Sequence, residues 1–249
     1  MIDWVEVADP IAVGVRAGYT LRLGGTRTDR YLSANMSAHV GDVETHVREN
    51  RQRLSEITGL ADIRWLKQTH GSRVVKIGRH VDLVDDEGSA PVADAQWTDA
   101  TGIGLAIVSA DCFPVVIADT SGSVVGIAHC GWRGAVSGVL ESLIAEMGCR
   151  AATLNAWMGP GICKQCYEVG PDVVARLDSR VSKNVLEAAP RRERWLLDLP
   201  RYLEIMLQEL GIERIFRTQR CTYQDENLYS YRRDKVTGRL ATMVWRETS

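Results

Sequence analysis

The 249-residue sequence lacks the features of a membrane, secreted, fibrous or nucleic-acid-coating protein. No stretch reaches 18 uninterrupted apolar residues, and the N-terminus, MIDWVEVADP, has no basic region followed by an apolar one. Neither a membrane span nor a secretion signal is expected, and a cytoplasmic location follows. There is almost no excess of charge: 30 Lys plus Arg stand against 32 Asp plus Glu, a net charge of -2, which argues against nucleic acid or an anionic membrane as the main partner. No internal repeat, low-complexity tract or Pro/Gly/Ser-rich linker divides the chain, so residues 1–249 are read as a single domain. Six cysteines are too few for a disulfide scaffold of this size, and without a signal they read as thiols or metal ligands. What the chain does have is 45% hydrophobic and 25% charged residues, the balance of a folded body with a sizeable core.

The patterning is mixed. Short strand-like runs, IAVGV and YTLRL, alternate with turn chemistry at Gly24-Gly25 and Thr28-Asp29. A helix is expected from Asp42 as N-cap to Gly59 as stop, with Val43, Val47, Leu54 and Ile57 near one face. From residue 63 the runs IRWLKQ, RVVKIG, IGLAIV, PVVIAD and VVGIAH are rich in Val and Ile and broken by Gly, Pro or Asp, as strands are. One helix is predicted over residues 133–148, two more near PDVVARLD and LPRYLEIMLQELG, and closing strands at IERIFRT and RLATMVWR. Strands and helices without regular alternation predict an α/β, α+β-like fold of layered mixed β-sheets with helices outside.

The scarcest residues are the informative ones: five His, at 39, 46, 70, 80 and 129, and six Cys, at 112, 130, 149, 163, 166 and 221. PVVIAD and VVGIAH, joined by Thr-Ser-Gly-Ser, read as a hairpin with a turn between residues 120 and 122. That register puts Cys112 beside His129 at the open end. His70, in Lys67-Gln68-Thr69-His70-Gly71, ends another strand-like run and can reach the same cleft. Two His and one Cys suit a zinc ion with an open fourth position, a Cys–His nucleophilic pair without metal, or copper, which uses the same set. His39 and His46 are weaker candidates, and His46 and His80 read as solvated. The turn after His129, Gly131-Trp132-Arg133-Gly134, leads into a helix, and Arg133 with that helix N-terminus is a candidate anion site. Cys163-x-x-Cys166 has no matching pair nearby, so it reads as two buried thiols that hold no second metal.

Several motifs together carry a resemblance: Thr20-x-Arg22-x-Gly24-Gly25, Ser33-x-Asn35, Gln68-Thr69-His70-Gly71, Ala93-Asp94-Ala95, Ala110-Asp111-Cys112-x-Pro114-Val115, His129-x-Gly131-Trp132-Arg133-Gly134, Cys166-Tyr167-Glu168-Val169-Gly170, Cys221-Thr222 and Ser230-Tyr231-Arg232-Arg233-Asp234 with Gly238-Arg239. With these the chain resembles the laccase-domain family, also called multicopper polyphenol oxidase or purine nucleoside phosphorylase family proteins, which includes a bacterial peptidoglycan-editing protein. Cys130 stands where that family more often has Ala. The resemblance implies a metal centre on His70, Cys112 and His129, holding zinc, with copper as the other option. It implies phosphorolysis of adenosine, inosine and methylthioadenosine, together with adenosine deamination. Arg22, Asn35, Gln68, Arg133, Glu168 and Arg233 are then expected to contact nucleoside and phosphate, and Glu168 or Asp111 to move protons in deamination. A Cys–His hydrolase acting on peptidoglycan precursors is the alternative. A laccase with a full set of four coppers needs roughly ten His, twice what this chain has.

Overall fold

Near-continuous apolar strands need cover on both faces, and the computed structural model shows where that cover comes from. It describes residues 2–8, 11–25, 31, 33–78 and 90–248. A five-stranded sheet contains β1 (Trp4–Glu6), β2 (Val15–Thr20), β3 (Asp62–Arg64), β6 (Ile103–Ser109) and β14 (Leu240–Arg246), in the order β1-β2-β14-β6-β3. A six-stranded sheet contains β4 (Val74–Lys76), β5 (Ala95–Thr98), β7 (Phe113–Asp119), β8 (Val125–Cys130), β9 (Leu154–Met158) and β13 (Arg214–Arg217), in the order β13-β9-β7-β8-β5-β4. Both are mixed: β3/β6, β4/β5 and β9/β13 run parallel and the remaining pairs antiparallel. A small antiparallel sheet joins β10 (Glu168–Val169), β12 (Trp195–Leu197) and β11 (Leu186–Ala188).

The period-2 alternation sorts the core into layers. On β7, Val116 and Ala118 pack with Val125 and Ile127 of β8 and with Leu105, Ile107, Leu240 and Val244 of the five-stranded sheet, so the two large sheets face one another. Val115 and Ile117 point the other way, with Ala128 and Cys130, into a cluster shared with helices α3 (Val139–Met147) and α6 (Leu199–Glu209). The outer face of the five-stranded sheet presents Ala106, Ala241, Met243 and Trp245 to Leu54 and Ile57 of α1 (Glu44–Thr58). Helix, sheet, sheet, helix is thus the order of layers, a single mixed α/β body as the patterning predicted.

Local departures have local causes. The helix expected over 133–148 is two, α2 (Trp132–Val136) and α3, because Gly138 adopts φ 81° and cannot continue a helix. Asp42 is not the N-cap of α1. Val43 takes that place, exposed, and Asp42 Oδ1 accepts from the Val43 amide at 2.8 Å while Oδ2 accepts from Asn35 Nδ2. IAVGV is extended only from Val15, and YTLRL only as far as Thr20. The segment PDVVARLD gives the four-residue α4 (Pro171–Val174), followed by α5 (Ser179–Val185) capped by the Asp178 side chain. The short α7 (Tyr231–Asp234) precedes β14. Thr28-Asp29 and His80 lie outside the described residues. β5 and β9 carry buried Gln96 and Asn155, which interrupt the apolar run that marks a strand. Each amide nitrogen is bonded, Gln96 Nε2 donating to Arg64 O and Ala106 O and Asn155 Nδ2 to Ile11 O, while the amide oxygens are buried without a partner among the described residues.

Candidate metal centre and pocket

The hairpin forms where expected, but its register is shifted from a Cys112–His129 pairing: Pro114 lies opposite His129 and Phe113 opposite Cys130. Cys112 stands one pair further, opposite Gly131. A Cβ on Gly131 would come within 2.7 Å of Cys112 Sγ and 3.4 Å of the His70 ring, so the absence of a side chain there is what lets the three ligating groups close up. Asp111, just before Cys112, has φ 94°. Its carboxylate accepts from Thr222 Oγ1 at 2.7 Å and from the Arg232 amide at 2.6 Å, and its carbonyl accepts from the Ile162 amide. That bend, held from three sides, turns the thiol out of the strand line toward the cleft.

Asp94 organises the other two members. It is fully buried, immediately before β5. Its carboxylate accepts from Thr69 N and Oγ1 at 3.0 Å and from the His70 and Gly71 amides at 2.8 Å, and it lies 3.1 Å from His129 Nδ1. The loop bonds hold His70 at φ 62°, a conformation of non-Gly residues that persists where the surroundings over-determine it. The His70 and His129 rings meet at 4.7 Å between centroids and 74° between planes.

Electrostatics follow from this packing. Burial alone would raise the Asp94 carboxyl, but the His129 hydrogen bond and the Gly71 and Thr69 amides outweigh it and hold it well below the usual carboxylate range. For Cys112 burial is again opposed, by the charge and hydrogen bonds of His129 and then His70, which bring the thiol down to about 6. Burial would depress His129, yet the Cys112 thiolate and Asp94 lift it to about 9. The ligand atoms of His70, Cys112 and His129 all lie within 4.8 Å of one another. With Nδ1 of His129 facing Asp94, Nε2 is the nitrogen turned to an ion, the carboxylate–histidine–metal arrangement that fixes a ring and raises its basicity. One thiolate and two imidazoles fit zinc or copper.

Beside the trio is a cavity of about 340 Å³. Leu66, Val108, Val40 and Ala110 give it apolar walls, Tyr231 and His39 stand on its polar side, and Arg239 is the cation that lines it. Nη1 of Arg239 donates to the carbonyls of Thr237 and Gly238, and its guanidinium lies 5.8 Å over the Tyr231 ring, leaving Nε and Nη2 without a hydrogen-bond acceptor among the described residues.

Of the residues expected to contact substrate, Gln68 lines this cavity, though its amide is bonded in both directions to the Val108 backbone at 2.8 Å. Asn35 is fully buried and builds the wall behind it, bonding Ser37 and the Arg239 amide. Like Asn35, the four other expected contacts are not among the lining residues. Arg22 lies over the Tyr229 ring. Arg233 spends its donors on Asp234 and on four backbone carbonyls, from Thr222 to Leu228. Glu168 accepts from Arg191 beside a different depression. Arg133 is exposed, 4.4 Å over the Trp132 ring, and lies inside the five-residue α2 rather than ahead of it. Neither Asp111 nor Glu168 reaches the pocket as a proton carrier. His46 is half-buried on α1. Asp94 and Arg239 stand in the motifs Ala-Asp-Ala and Gly-Arg, which by themselves give neither residue a role. A lone carboxylate between alanines at the start of a buried strand was the available signal for Asp94.

Residues 16–247 match the family described as multi-copper polyphenol oxidoreductase laccase. The chain is 36% identical over 241 residues to purine nucleoside phosphorylase YfiH of Escherichia coli strain K12, covering 95% of this chain and 96% of that one. It is 34% identical over 238 residues to a Haemophilus influenzae protein of the same enzyme name, covering 94% and 95%. Among solved structures, the Neisseria meningitidis protein NMB0706 superposes with a TM-score of 0.90 at 31% identity over 99% of this chain and 100% of that one. YlmD from Geobacillus stearothermophilus gives 0.88 at 29% identity, over 99% and 97%. On a match that runs from β2 to the end of β14, together with these relatives, the chain belongs to the multi-copper polyphenol oxidoreductase laccase family.

Proposed function

We propose that this chain is a metal-dependent purine nucleoside phosphorylase, taking adenosine, inosine and methylthioadenosine with inorganic phosphate. The observation that carries this reading is the cavity: about 340 Å³, within the size range of small-molecule sites, with the His70–Cys112–His129 trio and the unspent edge of Arg239 in one lining. The enzyme name of the relatives supports it. In phosphorolysis a phosphate oxygen bonds to the anomeric carbon of ribose as the bond from that carbon to the purine nitrogen breaks, and the purine takes up a proton. Arg239 would hold and orient the phosphate, a role that passes to it from Arg133. The apolar side of Leu66, Val108 and Ala110 would seat the purine and keep water from the anomeric carbon. His70, Cys112 and His129 would hold zinc, or copper, and the ion when bound supplies Lewis acidity near the reacting groups. Adenosine deamination would share the pocket, but no Asp or Glu among the described residues lines it, so the geometry supports phosphorolysis better.

A second reading has its own observation. Cys112 at about 6 and His129 at about 9 make a thiolate–imidazolium pair when no ion is present, the arrangement of a Cys–His hydrolase, here on cell-wall precursors. Purified protein of known metal content, assayed with inosine with and without phosphate, separates the two. Phosphate-dependent release of hypoxanthine that falls on chelation and returns with zinc is the expected result. Phosphate-independent amide hydrolysis that survives chelation would replace the first reading by the second.

A further inference from the structure

The pair Cys163 and Cys166 does not stand alone. Cys221, remote in sequence, joins it, and the three Sγ atoms lie within 4.8 Å of one another. All three cysteines are free and half-buried. We propose that Cys163, Cys166 and Cys221 form a second metal site, separate from the His70 centre, that takes a thiophilic closed-shell cation of the Zn²⁺ or Cu⁺ type on three thiolates.

The backbone builds the site before any ion is considered. Cys163 caps a single turn over Lys164–Cys166, in which the Cys166 amide donates to the Cys163 carbonyl at 3.1 Å, so both thiols rise from one turn. Cys221 is brought alongside by a parallel bridge to Gly161 and by the Thr222 amide donating to Gly161 O at 3.1 Å. Sγ of Cys221 then sits in a nest of amides: Cys163 N donates to it at 3.2 Å, and the Gln224 and Tyr223 amides converge on it. Amides aimed at one sulfur stabilise an anion there. Burial would raise the Cys221 thiol, but these donors bring it below its ordinary value. Cys163 is raised, and Cys166 is pushed up to about 12, by burial and then by the neighbouring sulfurs. Cys221 is thus the most readily ionised of the three, and the other two need a positive charge to offset theirs.

Next to the cluster is a cavity of about 310 Å³. Its cations, Lys164, Arg217 and Arg220, are already paired with Glu187, Glu204 and Asp225, so the charge of the thiolates is offset chiefly by the ion itself. The cavity shares no lining residue with the His70 pocket, and it leaves a fourth coordination position open to solvent. Binding releases one proton to solvent for each thiol still protonated, and no electron moves. Sulfur-only ligands select soft ions over the hard cations of the cell. The two segments joined are the same two that hold Asp111, through the Ile162 amide and Thr222 Oγ1. An ion here therefore ties down the shelf from which Cys112 is aimed.

The test uses full-length protein, reduced and free of oxygen, in a Cys112→Ser background so that the first site contributes no thiolate. Cobalt is titrated and the near-ultraviolet sulfur-to-cobalt charge-transfer band is read, and zinc and Cu⁺ are then titrated against chromogenic chelators. About one equivalent is expected, with a charge-transfer band that disappears in Cys112→Ser/Cys221→Ser and loses roughly a third of its intensity or more in Cys112→Ser/Cys166→Ser. Serine at 221 can accept from the same amides, so circular dichroism should show the variants folded. Either ion binding in a Cys221-dependent way supports the site, and their competition says which it prefers. No band, or a band indifferent to Cys221 and Cys166 in folded protein, overturns the proposal.

Discussion

Oδ1 of Asp94 lies 3.1 Å from Nδ1 of His129, and the same carboxylate accepts the backbone amide of His70. One buried charge therefore positions both histidines of the trio. Replacing it by Asn keeps the size and removes the charge, and turns one amide N–H group toward donors that need an acceptor. Leaving such a group unsatisfied costs about 1–3 kcal/mol, and losing the carboxylate partner of a ligating His weakens metal binding by about 10–100-fold. Asp94→Asn should show both, in a melting curve and in a zinc competition titration. Unchanged zinc affinity would show that His129 needs no orienting partner.

Removing the ion should reveal a reactive thiol with a defined pH window. Cys112 titrates at about 6 in the metal-free protein against 9.0 for an ordinary thiol, so its charged form contributes stability that is full above 9.0 and lost as pH falls through about 6. His129 runs the other way: its contribution is full below 6.5 and lost as pH rises through about 9. Alkylation of Cys112 by iodoacetamide in chelator-treated protein, followed by mass spectrometry, should have its midpoint near pH 6. Added zinc should suppress it. A midpoint near that of an ordinary thiol would mean that the imidazoles do not stabilise the thiolate.

Arg239 and Arg133 make opposite predictions. If Arg239 holds phosphate, Arg239→Gln should cost about 1.5–3 kcal/mol of charge-assisted binding, which is roughly ten- to a hundredfold in phosphorolysis efficiency. Zinc content should be unchanged. Arg133→Ala, which removes an exposed side chain from the Trp132 ring, should change phosphorolysis by less than about threefold. Equal losses in the two variants would return the phosphate to Arg133.

Gly131 is a steric gate for the trio. In Gly131→Ala the new methyl group meets Cys112 Sγ at 2.7 Å, so the thiol must turn away. Zinc affinity should drop by at least about tenfold, as it does when ligand orientation is disturbed. The melting temperature should move by only a few degrees, since overpacking costs about 1–3 kcal/mol. A variant that binds zinc like the wild type would show the hairpin end to be more yielding than its packing suggests.

The sequence made the trio readable because a hairpin obeys counting. Once the turn is placed between residues 120 and 122, the end of the hairpin that Cys112 shares with His129 is fixed, though not which residue faces which, and periodicity alone found α1, β6, β7, β8 and β14. Substrate contacts were a different matter. Arg22, Arg133 and Arg233 look alike as letters, and what separates them from Arg239 is where chain closure leaves each: Arg239 lines the pocket, Arg22 and Arg133 lie over the Tyr229 and Trp132 rings, and Arg233 is bonded to backbone carbonyls. The link of Cys221 to the pair is hidden in the sequence for a related reason. Cys221 approaches Cys163 through one backbone bridge between loops, and no spacing rule reaches across 58 residues of chain.

Asp94 binds the His70 loop and the His129 ring through protein donors alone, so the principal ligand set is assembled without help from an ion. In small zinc domains the ion supplies the folding free energy and its loss unfolds the chain. Here a bound ion would be a tenant of a finished building. It could leave and be replaced by another of similar softness while the walls stand, and the choice of occupant would pass from the folding reaction to ligand chemistry and the supply of metals around the protein.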